Sequence, residues 1–113
     1  MQSRTMKVVQ LIEIGKDLEN REIPTPEPKP NEVLIQIKAA GICHSDVHYR
    51  DGVSLVGYLP ISLGHEVAGE IEKLGTKVSD FKVGDRVCLN YMITCGKCQF
   101  CVRGSEQFCE RVR

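Results

Sequence analysis

Residues 95–109, CGKCQFCVRGSEQFC, carry four cysteines in the spacing C-x2-C-x2-C-x7-C. Four thiolates suit tetrahedral zinc, whose bonds to sulfur are about 2.3 Å long, and two-residue gaps let a tight turn direct successive sulfurs at one centre. Gly96 and Gly104 lie where the backbone must turn sharply. The stretch therefore predicts a zinc-binding lobe over residues 93–112, called the cysteine lobe below, whose ligands are Cys95, Cys98, Cys101 and Cys109.

Two other uses of these cysteines were weighed against zinc. Disulfide pairing is typical of secreted domains, but Met1 opens a polar stretch without the apolar segment of a signal peptide. An iron–sulfur cluster uses a related run, C-x2-C-x2-C-x3-C followed by proline. Here the last gap is seven residues and Glu110 follows, so zinc is favoured. The same polar start predicts a cytoplasmic protein.

Composition indicates one globular domain over residues 1–113. The chain is 42% hydrophobic and 27% charged, which is ordinary for a domain with an apolar core. Fifteen basic and fifteen acidic residues cancel, so the charge favours neither a nucleic acid nor an anionic membrane as partner. No apolar run approaches the ~18 residues of a membrane span.

Strand patterns outnumber helix patterns along the chain. Residues 33–39 and 67–72 alternate with a period of two, and residues 6–14 and 86–92 are rich in strand-forming side chains. Val83-Gly84-Asp85 predicts a turn, the proline-rich residues 23–30 predict a stiff loop, and Ser45 or Asp46 predicts the start of a short helix. These elements favour a small, mainly β barrel or curled sheet.

A second set of candidate metal ligands lies at predicted strand ends. Cys43 follows the strand at 33–39, and His65 and Glu66 precede the strand at 67–72. A thiolate, an imidazole and a carboxylate all ligate zinc. By spacing alone, Cys43 as a core thiol and His65 as a satisfied buried histidine is the better interpretation. Cys88 belongs to no motif and is predicted to be a small buried hydrophobic residue.

Four motifs in this order resemble the zinc-containing medium-chain alcohol dehydrogenases. They are AGICHSDVH at residues 40–48, LGHEVAG at 63–69, VGDRV at 83–87 and the four-cysteine stretch. The resemblance covers nearly the whole chain. It implies a GroES-like, partly open β-barrel with short helices, a catalytic zinc site and a structural zinc lobe.

The resemblance implies a role for each matching residue. Cys43 and His65 look like catalytic-zinc ligands, with Glu66 as a neighbouring carboxylate that approaches or ligates the metal. The four lobe cysteines match the structural zinc ligands. Asp46 resembles the carboxylate that orients the ligand histidine, an interaction that fixes the tautomer.

The remaining implied roles concern proton transfer and the cofactor. Ser45 resembles the hydroxyl that hydrogen-bonds the substrate alcohol, and His48 the histidine at the solvent end of the proton relay. His44 corresponds to a position that contacts the cofactor pyrophosphate in many members. The implied reaction converts alcohols to aldehydes or ketones with NAD or NADP, on small-molecule substrates and with a homo-oligomer as one option.

The sequence departs from the family in two respects. No G-x-G-x-x-G occurs in the 113 residues, so we expect the nucleotide-binding domain to be missing and the chain alone to be inactive. The family's third main catalytic-zinc ligand, a cysteine beyond the structural lobe, also lies past Arg113. The alternative function is that of a non-enzymatic zinc-binding or interaction domain derived from this fold.

Overall fold

Strands dominate the computed structural model of the protein, which describes residues 4–112. Within that range the strands are β1 (Thr5–Leu11), β2 (Glu19–Pro24), β3 (Val33–Gly41), β4 (Ile61–Ser62), β5 (Glu66–Leu74) and β6 (Arg86–Cys88). The helices are α1 (Ser45–Asp51), α2 (Gln99–Val102) and a 3-10 helix at Glu106–Phe108. The predicted mainly β class with short helices is confirmed.

The strands form two three-stranded antiparallel sheets. The first has the order β2-β1-β4 and the second the order β3-β5-β6. Gln10 on β1 is buried and its side-chain amide donates a 3.1 Å hydrogen bond to the hydroxyl of Ser62 on β4. Within residues 4–112 the two sheets do not join into one closed barrel.

The pair β3–β5 is the longest ladder and sets the position of the predicted strand-end residues. Its register runs from Val33 opposite Leu74 to Gly41 opposite Glu66. Two irregularities interrupt it, between Leu34 and Ile35 and between Ile37 and Ala39. Because antiparallel pairing aligns the end of one strand with the start of the other, the residues after Gly41 meet those before Glu66.

The buried core is small. Leu11 on β1 and Ile71 on β5 are the largest fully buried side chains among residues 4–112. The described chain is flat, with extents of 41 × 40 × 22 Å. The apolar interior therefore lies between the sheets, and many large apolar side chains elsewhere remain exposed.

Several element boundaries differ from the sequence-based predictions. The first strand ends at Leu11 instead of residue 14, and the strand predicted at 86–92 ends at Cys88. Strands β2 and β4 were not predicted. Helix α1 starts at Ser45, but its N-cap residue is His44, which makes no side-chain cap hydrogen bond.

The turn predicted at Val83-Gly84-Asp85 is present. Gly84 has a φ of 95°, which favours glycine, and the Asp85 carboxylate accepts a 2.8 Å hydrogen bond from the Lys82 backbone N–H. This turn delivers the chain to β6 beside β5. Across the described residues, none of the helices has the length and apolar character needed to cross a membrane.

Candidate metal centres

The cysteine lobe gathers its four predicted ligands around one point. The sulfurs of Cys95, Cys98, Cys101 and Cys109 all lie within 4.8 Å of one another. A zinc–sulfur distance of about 2.3 Å places the sulfurs of a regular tetrahedron about 3.8 Å apart. The Cys95 and Cys101 sulfurs are separated by 3.9 Å, so the arrangement fits a tetrahedral thiolate site.

Local backbone geometry produces this convergence. Gly96 and Gly104 have positive φ values of 71° and 84°, which allow the two sharp turns that the sequence predicted. Backbone N–H groups of Lys97 and Cys98 point at the Cys95 sulfur, at 3.4 and 3.2 Å. Such N–H···S contacts stabilise a thiolate more than a thiol.

These contacts divide the lobe thiols into two kinds. Backbone N–H groups of Glu110 and Cys101 lower the pKa of Cys98 to about 6, and those of Lys97 and Cys98 lower the pKa of Cys95. Burial raises the pKa of Cys101 to about 12. The lobe thus holds at least one ready thiolate and one thiol that must lose its proton before it can ligate a metal.

The second cluster forms where β3 ends and β5 begins. One ligand atom each from Cys43, His65 and Glu66 lies within 4.8 Å of the others, and we call this set the strand-end cluster. The register that pairs Gly41 with Glu66 explains the convergence of residues separated in sequence. Cys43 and His65 are half-buried and Glu66 is exposed. Three mixed ligands leave one tetrahedral position open.

Asp46 lies behind the strand-end cluster on α1. One of its carboxylate oxygens accepts a 3.3 Å hydrogen bond from the Cys43 backbone N–H. The other is 3.9 Å from Nδ1 of His65. That second oxygen is buried and finds no hydrogen-bond partner within residues 4–112. Asp46 thus holds the turn that carries Cys43 and faces one ring nitrogen of His65, which leaves Nε2 of the ring for a metal.

A cavity of about 770 Å³ adjoins this cluster. Cys43, His65 and Ser45 line it, together with Tyr49, Leu55 and Tyr91. The Ser45 hydroxyl oxygen is buried and has no hydrogen-bond partner in the part of the chain that the structure describes. A free hydroxyl beside two candidate ligands can donate to or accept from a small polar molecule in the cavity.

Several cavity residues were missed by the sequence analysis, among them Tyr91, Tyr49 and Leu55. Tyr91 meets His65 edge-on, with ring centroids 5.9 Å apart, and Tyr49 and Leu55 form part of the wall. Tyr91 follows β6, and no periodic pattern in the sequence predicts that its ring lies against His65. Tyr49 lies one turn beyond Ser45 on α1, so a helical spacing of four could have indicated that both residues face one side.

The predicted relay histidine His48 lies on α1 and the predicted cofactor residue His44 is the N-cap of that helix, and neither is at the cavity wall. Among the described lining residues, neither His44 nor His48 is present. Their rings meet edge-on with centroids 5.0 Å apart. The structure therefore places Ser45 at the cavity and the two histidines beside it, and the roles of His44 and His48 stay predictions.

The prediction for Cys88 is wrong. It was expected to be buried, but it is exposed at the end of β6. β6 is the outer strand of its sheet, so no further strand covers this position. Cys88 belongs to neither of the two candidate metal clusters found among residues 4–112.

Comparison with known proteins places these clusters in a family. The family model for the alcohol dehydrogenase GroES-like domain matches residues 29–113. The chain is 45% identical to the NAD-dependent alcohol dehydrogenase of Sulfurisphaera tokodaii over 96% of its own length and 33% of that protein. It is 41% identical to the sorbitol dehydrogenase of Bacillus subtilis over 87% of its length and 29% of that protein.

Comparison of the fold with solved structures indicates the same family. The cobalt- and zinc-bound thermostable alcohol dehydrogenase from Pyrobaculum aerophilum superposes with a TM-score of 0.88 at 33% identity, covering 95% of this chain and 33% of that one. The chain thus spans about a third of the length of the relatives it matches. On its sequence match and its fold, it belongs to the alcohol dehydrogenase GroES-like domain family.

Proposed function

We propose that the chain is the catalytic, zinc-binding domain of an alcohol dehydrogenase that oxidises alcohols to aldehydes or ketones with NAD or NADP. The observation that supports this most directly is the convergence of Cys43, His65 and Glu66 beside a cavity of about 770 Å³. That volume suits a small molecule. A relative is named as NAD-dependent and a solved neighbour as zinc- and cobalt-bound, which supports the same cofactors here.

The strand-end cluster has the donor set of a catalytic zinc site. Cys43 and Glu66 each supply one negative charge to offset a divalent ion, and His65 supplies a nitrogen. A zinc ion held there would act as a Lewis acid toward an alcohol or carbonyl oxygen. The open fourth position and the adjoining cavity distinguish this cluster from the closed lobe.

Ser45 is the residue placed to handle the substrate hydroxyl. Its oxygen is buried and free of hydrogen-bond partners among residues 4–112, and it lines the same cavity as Cys43 and His65. In the proposed reaction Ser45 orients the alcohol and relays its proton, because the hydroxyl accepts the alcohol proton as it gives up its own toward His48. His48, on the next turn of α1, passes that proton to solvent.

Asp46 lies beside the ligands and lines the same cavity. It accepts a hydrogen bond from the Cys43 backbone, and its other oxygen faces Nδ1 of His65 at 3.9 Å. A carboxylate behind a ligand histidine fixes the ring orientation and raises its basicity. Asp46 is therefore proposed as a positioning residue.

Hydride transfer also requires a nicotinamide ring held about 3 to 3.5 Å from the substrate carbon. We propose that a nucleotide-binding domain outside these 113 residues holds it, with His44 near the cofactor phosphates. The cysteine lobe would carry a structural zinc, since four sulfurs close its coordination.

Replacing the matching third of the Sulfurisphaera tokodaii relative with this chain tests the proposal. The hybrid enzyme should reduce NAD in the presence of an alcohol, and Cys43→Ser should abolish the activity. Cys88→Ser is the matched control, because Cys88 is exposed and lies in neither cluster. The 113-residue chain by itself should show no turnover, even with saturating zinc.

A folded, zinc-loaded hybrid without activity would contradict the enzymatic proposal. It would favour the alternative of a zinc-binding or interaction domain. Turnover by the isolated chain that is lost in Cys43→Ser would instead show that the nicotinamide site lies within these residues.

A further inference from the structure

Gly41, the last residue of β3, lies directly opposite Glu66, the first residue of β5. Side chains of directly paired residues in an antiparallel ladder stand on the same face of the sheet. Any residue other than glycine at position 41 would therefore place its side chain next to that of Glu66. Glycine leaves this position open.

The Glu66 carboxylate fills that space. A Cβ atom placed on Gly41 would overlap Oε2 of Glu66 and would lie 3.3 Å from its carboxyl carbon. Gly41 is not one of the described glycines with a positive φ, so its backbone does not itself require glycine. The absence of a side chain at Gly41 therefore matters because the Glu66 side chain occupies that space.

Two other glycines meet a different kind of obstacle. A Cβ on Gly69 would overlap the backbone carbonyl of Gln36, and one on Gly75 would overlap the carbonyl of Lys29. Those atoms belong to the fold and cannot move without shifting a strand or loop. At Gly41 the obstacle is the exposed side chain of Glu66. Its flexible carboxylate must move away, and its Cβ, 3.0 Å from the added atom, must give by a few tenths of an ångström for the domain to accept alanine.

We propose that Gly41 is a positioning residue whose missing side chain lets the Glu66 carboxylate reach Cys43 and His65. The inference rests on the proposed metal centre and deepens it. Alanine at position 41 would push the carboxylate away from the other two ligand atoms, which now lie within 4.8 Å of it. The centre would then keep a thiolate and an imidazole but lose the second negative charge.

Zinc titration of the 113-residue chain tests this, with a chromophoric chelator as competitor and native mass spectrometry to count bound ions. The proteins compared are the unmodified chain, Gly41→Ala, Glu66→Gln and the double variant. Gly57→Ala is the matched control, because a Cβ added there meets no atom within 4 Å. The lobe zinc serves in every variant as an internal measure of folding.

Gly41→Ala should weaken the second zinc roughly tenfold, in the range seen when a group that supports a metal site is lost. In the Glu66→Gln background the same change should alter the affinity less than twofold, because the carboxylate is already gone. Gly57→Ala and the lobe zinc should be unaffected.

The outcomes separate this inference from the proposed function. An unmodified domain that binds zinc only at the lobe, both as the 113-residue chain and within the hybrid enzyme, overturns both. Two bound zinc ions with no effect of Gly41→Ala, or with an equal effect in both backgrounds, overturn the role of Gly41 and leave the metal centre standing.

Discussion

The cysteine lobe and the strand-end cluster use the same chemistry to different ends. The lobe presents four sulfurs, one of them buried, and each tetrahedral position has a protein ligand. The strand-end cluster presents three different ligand atoms and borders a cavity. Under the proposed function, the lobe would enclose its metal and the strand-end cluster would expose one to the cavity.

The two regions also differ in what supports them. The strand-end ligands stand on the β3–β5 ladder, which includes the buried Ile71. In the lobe, Ile93, Val102 and Phe108 are exposed and only Cys109 is buried among its apolar residues. The ladder can fold without metal, whereas the lobe has too little apolar burial to hold its loops in place alone.

The largest expected effect follows from this contrast. Cys98→Ser should release the lobe zinc completely and make residues 93–112 sensitive to protease, because structural zinc contributes about 10–16 kcal/mol of apparent binding energy in small domains. Native mass spectrometry and limited proteolysis measure both results. Cys88→Ser should retain the full zinc content. Equal zinc in Cys98→Ser and the unmodified chain would refute the lobe assignment.

The second prediction concerns pH. Zinc displaces any proton bound to a ligand thiol, so affinity rises with pH by about tenfold per unit for each proton released. When zinc binds between pH 7 and 9, it displaces the proton of Cys101, whose pKa is about 12. Cys98, whose pKa is about 6, is already a thiolate in that range. Below pH 6 both are protonated without metal, so the dependence should become steeper by one proton.

Calorimetry in buffers of different ionisation enthalpy measures the protons released per zinc. The protein used carries Cys43→Ser, so that zinc binding at the strand-end site does not add to the measured proton release. Cys95, whose pKa backbone N–H groups also lower, adds to the change in slope. A slope that stays constant from pH 5 to pH 9 would therefore contradict the lowered pKa values of Cys98 and Cys95.

The same contrast explains which features the sequence could predict. The lobe ligands fall within fifteen residues, so their spacing alone indicates the site. The strand-end ligands come from both ends of a ladder. Their positions at predicted strand ends suggested a cluster, but only the family resemblance favoured a metal site there over a core thiol and a buried histidine. The register that pairs Gly41 with Glu66 supplies the physical reason.

The missed elements have physical causes as well. Strand β2 is almost entirely exposed, and its charged residues give no alternating pattern at the edge of a sheet. Strand β4 has two residues and exists only through its pairing with β1. The exposure of Cys88 and the position of Tyr91 depend on where β6 ends. That boundary is set by tertiary contacts and not by a local sequence pattern.

The third prediction tests the support behind the strand-end cluster. Asp46→Asn should weaken zinc there by 10- to 100-fold, because the amide nitrogen cannot replace the carboxylate oxygen that faces Nδ1 of His65. Competition with a chromophoric chelator measures the affinity. Asp51→Asn is the control, since that carboxylate lies on the same helix but pairs with Arg50 at the surface. Equal effects of both variants would mean that Asp46 acts only through overall charge.

The smallest expected effect is at Tyr91, whose ring meets His65 edge-on. An aromatic pair of this kind contributes about 0.5–1.5 kcal/mol, and the 70% exposure of Tyr91 places the effect at the lower end. Tyr91→Ala should therefore weaken zinc at the strand-end cluster about twofold to fivefold, with the lobe unchanged. Tyr58→Ala is a close control because Tyr58 is 69% exposed and lines a different hollow, beside Ile14 and Leu59. If the two variants weaken zinc equally, the ring at position 91 does not hold His65, and the strand-end cluster depends on Asp46 and the ladder alone.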